Sequence, residues 1–286
     1  MMPAVPYGGL ALCGVVFVFL SVLASGCTTQ APESGKMLVA VTIPPQAESV
    51  GAIGGDRVDV LVLVPPGASP HTYELTPGQL TDLSRARLYA AVGSGVEFET
   101  AWMEKIREVN PRMTVVDSSE GVALLPDGDP HIWLSPANAK VMAENVCDGL
   151  VAADPAGKDV YEANLAAYLA HLDALDAEIR AEVGESGCRA FLVSHASWGY
   201  FARDYGLVQI PVEEGGKDPS PRQIEETVAH ARAGNISVVF AAPEASTRSA
   251  HVIADEIGGR VVSLSPLAGN YTENLRAASA AIAGSV

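Results

Sequence analysis

The chain has 286 residues, of which 48% are hydrophobic and 18% are charged, and its formal net charge at pH 7 is −16. An acidic surplus of this size repels phosphate backbones, which argues against nucleic acid as a partner. All of the charge lies after residue 32, because Glu33 is the first charged side chain.

An apolar run at residues 8–24 is followed by small residues and then by Cys27. The run is typical of a secretory signal peptide, although no Lys or Arg precedes it. The small residues before Cys27 resemble a lipobox, in which the cysteine becomes the lipidated first residue. An uncleaved anchor is the alternative, but a membrane span needs roughly 20 apolar residues. We expect a signal peptide at 1–26, a tether at 27–36 and an extracytoplasmic protein anchored to the cell membrane by its lipid.

Strand and helix patterns alternate after the tether. Strands are predicted at 37–42, 58–64, 88–92 and 113–116, and helices at 46–53, 76–84, 96–109 and 136–153. Such alternation favours a parallel sheet flanked by helices. We assign residues 37–153 to an N-terminal α/β lobe.

The longest helical pattern covers residues 154–184. Asp154-Pro155 is a start signal, and Gly184 with Gly187 is a stop signal. Apolar residues recur between them mostly at spacings of three and four, at Val160, Leu165, Tyr168, Leu169, Leu172, Leu175, Ile179 and Val183. A helix of roughly 29 residues extends about 43 Å, too far for one small lobe. We expect a rigid helix that joins two lobes.

The same rhythm returns in residues 185–286, which we assign to a second, similar α/β lobe. Strands are predicted at 190–193, 207–211, 237–241 and 260–264, and helices at 198–205, 221–233 and 246–257. The linker helix separates Cys147 from Cys188, so we expect no disulfide between them. The chain has no CxxC pair, which argues against zinc binding by cysteines.

Three histidines each lie in a loop with its own turn signals. His71 is in PPGASPHTYELTP, His131 is in GDPHIWLSP, and His195 directly follows an apolar strand pattern in SHASWGYFARDYGL. Zinc sites use neutral imidazole nitrogens held rigidly by such turns. His171, His230 and His251 fall within helical patterns, and we interpret them as ordinary helix residues.

The predicted topology brings the three loops together. Ligands of open parallel sheets bind beyond the carboxyl ends of the strands. His71 and His195 follow strands, and His131 precedes a helix that starts at Pro136. Two ligands would come from the first lobe and one from the second, which places one metal ion in the cleft between the lobes.

The motifs resemble those of the solute-binding lipoproteins of zinc and manganese ABC importers, the cluster A-I metal-binding proteins. The resemblance covers nearly the whole mature chain and includes, in family order, the His71 loop, the His131 loop, the linker DPAGKDVYEANLAAYLAHLDALDAEI, the His195 loop and EEGGKDPSP from Glu213. It implies two α/β lobes on a rigid helix, a monomer that delivers one divalent ion to a membrane permease and its ATPase, and His71, His131 and His195 as ligands.

The third ligand position indicates the metal. Manganese members of the family commonly carry a carboxylate there and zinc members a histidine, and imidazole suits zinc better than manganese. His195 therefore favours Zn²⁺ as the transported ion, with Mn²⁺ or iron as the alternative.

The fourth ligand position departs from the family pattern. Ser265 stands in VSLSPL where the family usually has an aspartate. Water or a nearby carboxylate such as Glu244 would then complete the coordination. Metal-bound histidines usually donate their other ring proton to a carboxylate or a carbonyl, and we expect Glu74 rather than Glu97 in this role, although Glu74 fits equally well as an exposed residue that caps the Thr76 helix.

Two other functions compete with metal uptake. A zinc hydrolase would use three histidines with an open fourth position, but the chain has no HExxH and no G-x-S-x-G motif. A siderophore- or cobalamin-binding protein would share the helical linker but would not need three converging histidines. We therefore expect a binding protein and not an enzyme.

Overall fold

The architecture is given by a computed structural model, which describes residues 1, 3–4, 35–213 and 217–285. Apart from residues 1 and 3–4, the predicted signal peptide lies outside the described residues, and so do Cys27 and most of the tether. No helix among the described residues is both long enough and apolar enough to cross a membrane. Gly35–Val286 forms one compact unit.

The first sheet is parallel, with strand order β2-β1-β3-β4. Its strands are β1 (Met37–Val41), β2 (Val58–Val62), β3 (Leu88–Ala91) and β4 (Thr114–Asp117). Its helices are α1 (Pro44–Gly54), α2 (Pro77–Leu83), α3 (Glu97–Val109) and α4 (Pro136–Ala153), with short 3₁₀ helices at Gly55–Arg57 and Ile132–Leu134. All four residues of β3 are buried, as expected for a strand covered on both faces.

The second sheet repeats this order as β6-β5-β7-β8, again all parallel. Its strands are β5 (Ala190–Val193), β6 (Val208–Pro211), β7 (Val238–Ala241) and β8 (Arg260–Ser263). The α6 to α9 helices follow them, at Gly199–Tyr205, Pro221–Ala233, Arg248–Ile257 and Tyr271–Ala283. The expected two-lobed α/β fold is therefore confirmed, and α9 is an element that the predictions lacked.

A 29-residue helix, α5 (Lys158–Ser186), joins the two sheets. It begins after the 3₁₀ helix Pro155–Gly157, because Asp154 is bound by Arg57 and by the Tyr161 hydroxyl instead of starting the α-helix. It ends where Gly187 adopts a left-handed conformation with φ 76°. Most of its apolar stripe is at least partly buried, but Val160 is 46% exposed, so its place in the stripe is a wrong prediction.

The α5 helix packs against α1 and α4 on one side and against α6 and α9 on the other. The C-terminal helix α9 also reaches the first lobe, where the Thr272 hydroxyl donates a hydrogen bond to Glu48 of α1 at 2.5 Å. Both lobes therefore share one apolar core along α5. Cys147 and Cys188 are free and buried.

Candidate metal centre

His71 lies in the loop between β2 and α2, and its side chain is 32% exposed. Its Nδ1 lies 2.9 Å from Glu97 Oε2. Glu97 is the first residue of α3, and its side chain is 54% exposed. The first histidine therefore sits at the rim of the site and is held by a carboxylate that faces solvent.

His131 is buried, with 6% of its side chain exposed. It directly precedes the 3₁₀ helix Ile132–Leu134. Ser135 follows this short helix and caps the N-terminus of α4. Its Nδ1 lies 2.7 Å from Asp129 Oδ1, and the same oxygen accepts the His131 backbone N–H at 2.9 Å. Asp129 is 7% exposed, so this pair is shielded from water.

His195 follows β5 and comes from the second lobe. Its Nδ1 lies 3.2 Å from Glu213 Oε2, whereas its Nε2 is buried and has no hydrogen-bond partner among the described residues. Burial, and then the neighbouring His131 and His71, lower the pKa of His195 from 6.5 to about 4. The ring is therefore neutral at physiological pH, and its free nitrogen can bind a metal ion.

The three imidazoles form one cluster. Ring centroids are 5.0 Å apart for His71 and His195, 5.3 Å for His131 and His195, and 6.2 Å for His71 and His131. One nitrogen of each ring lies within 4.8 Å of the others, and no further His, Cys, Asp or Glu of the described chain joins this group. Since each Nδ1 faces a carboxylate, the three Nε2 atoms remain for coordination, which is the usual arrangement around metal-bound histidines.

The cluster lies in a cavity of about 790 Å³ that both lobes line. Its described wall contains no Lys or Arg, and it contains six carboxylate residues: Glu97, Asp127, Asp129, Glu213, Asp218 and Glu244. Burial and the nearby Asp218 raise the pKa of Glu213. A wall of this charge favours a cation over an anion.

The family model described as "Zinc-uptake complex component A periplasmic", ZnuA, matches residues 39–285. The chain belongs to the ZnuA family. A solved ZnuA structure superimposes with a TM-score of 0.85 at 43% identity, covering 87% of this chain and 99% of that one. The high-affinity zinc uptake system protein ZnuA of Bacillus subtilis is 26% identical over 287 residues, covering 92% of this chain and 89% of the relative. The zinc-binding lipoprotein AdcA of Streptococcus pneumoniae serotype 4 is 26% identical over 273 residues, and this chain spans about half of it: 88% of this chain and 54% of AdcA are covered.

Ser265 and Glu244, the residues predicted for the fourth ligand position, are joined by a hydrogen bond. The Ser265 hydroxyl donates a hydrogen bond to Glu244 Oε1 and accepts one from the Leu267 backbone N–H at 3.0 Å. Glu244 Oε2 is buried and has no partner among the described residues. Glu244 lines the cavity but lies outside the group of ligand atoms that surrounds the three imidazoles. Ser265 therefore holds one oxygen of Glu244 and leaves the other oxygen without a partner among the described residues.

Of the two roles predicted for Glu74, the structure agrees with exposure and not with contact to His71. Glu74 is exposed, and the carboxylate that meets His71 is Glu97, which was expected to fit less well. Glu74 does not cap α2 either, because Thr76 does so by accepting the Gln79 N–H at 3.3 Å. In a loop, a spacing of three residues does not place the side chains of Glu74 and His71 next to each other. Glu97 reaches His71 because the start of α3 lies beside the His71 loop.

Sequence reasoning also missed Asp129 and Glu213, which hold His131 and His195. A local signal existed for both. Asp129 precedes His131 by two residues in GDPH, and Glu213 opens the EEGG motif directly after β6. His171, His230 and His251 lie in α5, α7 and α8, as predicted.

Proposed function

We propose that this protein is an extracytoplasmic solute-binding protein that captures one Zn²⁺ through the Nε2 atoms of His71, His131 and His195. It would then deliver the ion to the permease and ATPase of an ABC importer. The observation that carries the proposal is the set of three imidazoles whose Nδ1 atoms each face a carboxylate. Membership of the ZnuA family supports the same function.

Zinc suits this ligand set better than manganese does. Zinc binds imidazole nitrogen at about 2.0–2.1 Å with tetrahedral geometry, whereas manganese prefers oxygen ligands. The ligand atoms, within 4.8 Å of one another, are near enough to close on one ion after a small contraction. The three carboxylates hold the rings in one tautomer and make them stronger ligands.

The fourth position would be taken by water or by Glu244. Glu244 lines the same cavity, and its Oε2 has no partner among the described residues while its Oε1 accepts the Ser265 hydroxyl, so Oε2 is the carboxylate oxygen left to act as a ligand. We propose Cys27 as the lipidated residue, as the lipoprotein AdcA supports by analogy.

The function is tested by zinc titration of the mature protein after thorough chelation. We expect one zinc per chain and a thermal stabilisation that grows with RT ln(1 + [L]/Kd), about 2.7 kcal/mol at a hundredfold excess over Kd. The matched control is the His131→Ala/His195→Ala double variant, whose melting should not respond. A wild-type melt that zinc leaves unmoved would contradict the proposal, and elemental analysis of protein from its native host identifies the physiological ion.

A further inference from the structure

The His131 loop is first-lobe sequence, yet second-lobe side chains hold much of it. The Tyr200 hydroxyl, in α6, donates a hydrogen bond to the Asp129 carbonyl at 3.1 Å and accepts one from the Leu125 N–H at 3.0 Å. Arg203 of the same helix donates to the Ala123 carbonyl at 3.2 Å. The segment that ends at His131 is thus attached to the helix that directly follows the His195 loop.

Tyr200 is suited to fix this segment rather than merely touch it. Its side chain is fully buried, and the Arg203 guanidinium lies 5.0 Å from the centre of its ring. Its hydroxyl satisfies two backbone groups at once, and a buried backbone group without a partner costs about 1–3 kcal/mol. The position of Asp129 therefore depends on one phenol group from the other lobe.

Gly199 provides the space for the Asp129 carboxylate. A Cβ added at this glycine would lie 2.5 Å from Asp129 Oδ2 and 3.2 Å from Leu125 Cδ1, both closer than ordinary contact. The carboxylate cannot move aside freely, because its Oδ1 accepts both the His131 backbone N–H and Nδ1. Any displacement of Asp129 is therefore transmitted to the imidazole.

We propose that Gly199 and Tyr200 are positioning residues for metal binding. They hold Asp129 in place, and through Asp129 they orient the Nε2 of His131 toward the ion. The inference rests on the proposed zinc site. It assigns the GY of SHASWGYF a role distinct from that of His195, because Gly199 and Tyr200 act on a ligand of the opposite lobe. Zinc affinity then depends on the docking of α6 against the first lobe.

The test is a double-mutant cycle on zinc affinity, measured by chelator competition at pH 7.5. Gly199→Ala and Tyr200→Phe should each weaken zinc binding about tenfold, the lower end of the effect of altering groups that orient metal-bound histidines. In an Asp129→Ala background, the same two changes should alter the Kd by less than about twofold. Nitrogen NMR of the metal-free protein should show that both variants reduce the fraction of His131 protonated at Nδ1.

A matched control is Gly184→Ala. Gly184 is an exposed glycine of α5 with nothing within 4 Å of an added Cβ, so this change should leave zinc affinity unaltered. Tyr200→Phe removes one atom and keeps the ring, so it carries the test if Gly199→Ala fails to fold. Wild-type affinity in both variants, or equal losses with and without Asp129, would overturn the inference. If His131→Ala also bound zinc normally, the proposed zinc site itself would fall.

Discussion

The two proposed ligands of the first lobe, His71 and His131, each pair with a carboxylate but lie in opposite surroundings. His71 and Glu97 form their pair at the rim, with 32% and 54% of their side chains exposed. His131 and Asp129 form theirs inside, with 6% and 7% exposed. Water and salt screen the first pair and hardly reach the second, so the similar contact distances of 2.9 and 2.7 Å do not imply equal effects on metal binding.

The difference also concerns what supports each pair. The His71 loop is held mostly by its own turns, such as the Thr72 and Tyr73 N–H groups donating to the Ser69 carbonyl. The His131 loop is tied to the second lobe, where Trp133 Nε1 donates to the Pro266 carbonyl at 2.7 Å. We infer that contacts with both lobes hold His131 in place, whereas contacts within the first lobe hold His71.

The largest expected effect is on the ligands themselves. His131→Ala and His195→Ala should each weaken zinc binding by more than about a hundredfold, and His71→Ala should weaken it less, because an exposed ligand is more easily replaced by water. The helical residues His171 and His251 supply the controls, and their alanine variants should bind like the wild type. Chelator competition measures all five, and equal affinities across the set would refute the site.

The carboxylates provide the sharpest test of the comparison. Asp129→Asn should weaken zinc binding about 10- to 100-fold, because it removes the charge beside a shielded imidazole. Glu97→Gln should change the Kd by less than about threefold, since exposed ion pairs contribute little. Titrations at low and high salt check the reason: only the effect of Glu97→Gln should shrink as salt is added. Equal losses in the two variants would show that burial does not set the difference.

A smaller effect is expected at the fourth position. If water completes the coordination, Ser265→Asp should tighten zinc binding by up to about tenfold, equivalent to about 1.4 kcal/mol, because a new carboxylate compensates the dication. Ser265→Ala should then change little. If Glu244 already binds the ion, Glu244→Ala should weaken binding and Ser265→Asp should gain nothing. Zinc titration of the three variants distinguishes these outcomes.

A separate effect, on folding and not on zinc affinity, is expected on the stability of the metal-free protein in acid. The pKa of His195 is lowered to about 4 in the fold, whereas the unfolded chain binds this proton near pH 6.5. Between these values the unfolded state holds more protons, so stability falls as the pH drops from about 6.5 to about 4, by at most about 1.4 kcal/mol per pH unit. Denaturant unfolding at pH 7 and pH 5 should show a smaller loss for His195→Gln than for the wild type. Equal losses of stability in His195→Gln and in the wild type would contradict the lowered pKa of His195.

Local patterns predicted the elements well where a signal was repeated or strong. The four strands of each lobe follow from apolar runs bounded by turns, and α7 starts and ends at the predicted residues, Pro221 and Ala233. The C-terminal helix α9 was missed, although Tyr271, Leu275, Ala278 and Ile282 form a buried stripe with helical spacing. Its start at Asn270 carries no side-chain cap to mark the boundary.

The sequence by itself singled out the three histidines that the structure brings together, because each stands next to prolines or a strand end, and such signals act over a few residues. Only the tertiary structure decided that Glu97 holds His71 and that Glu213 holds His195. Glu97 lies 26 positions beyond His71 and Glu213 lies 18 beyond His195, distances that no local periodicity constrains. Likewise, Gly199 and Tyr200 contact Asp129 only once α6 packs against the first lobe. These contacts join segments about 70 residues apart, so no local sequence pattern predicts them.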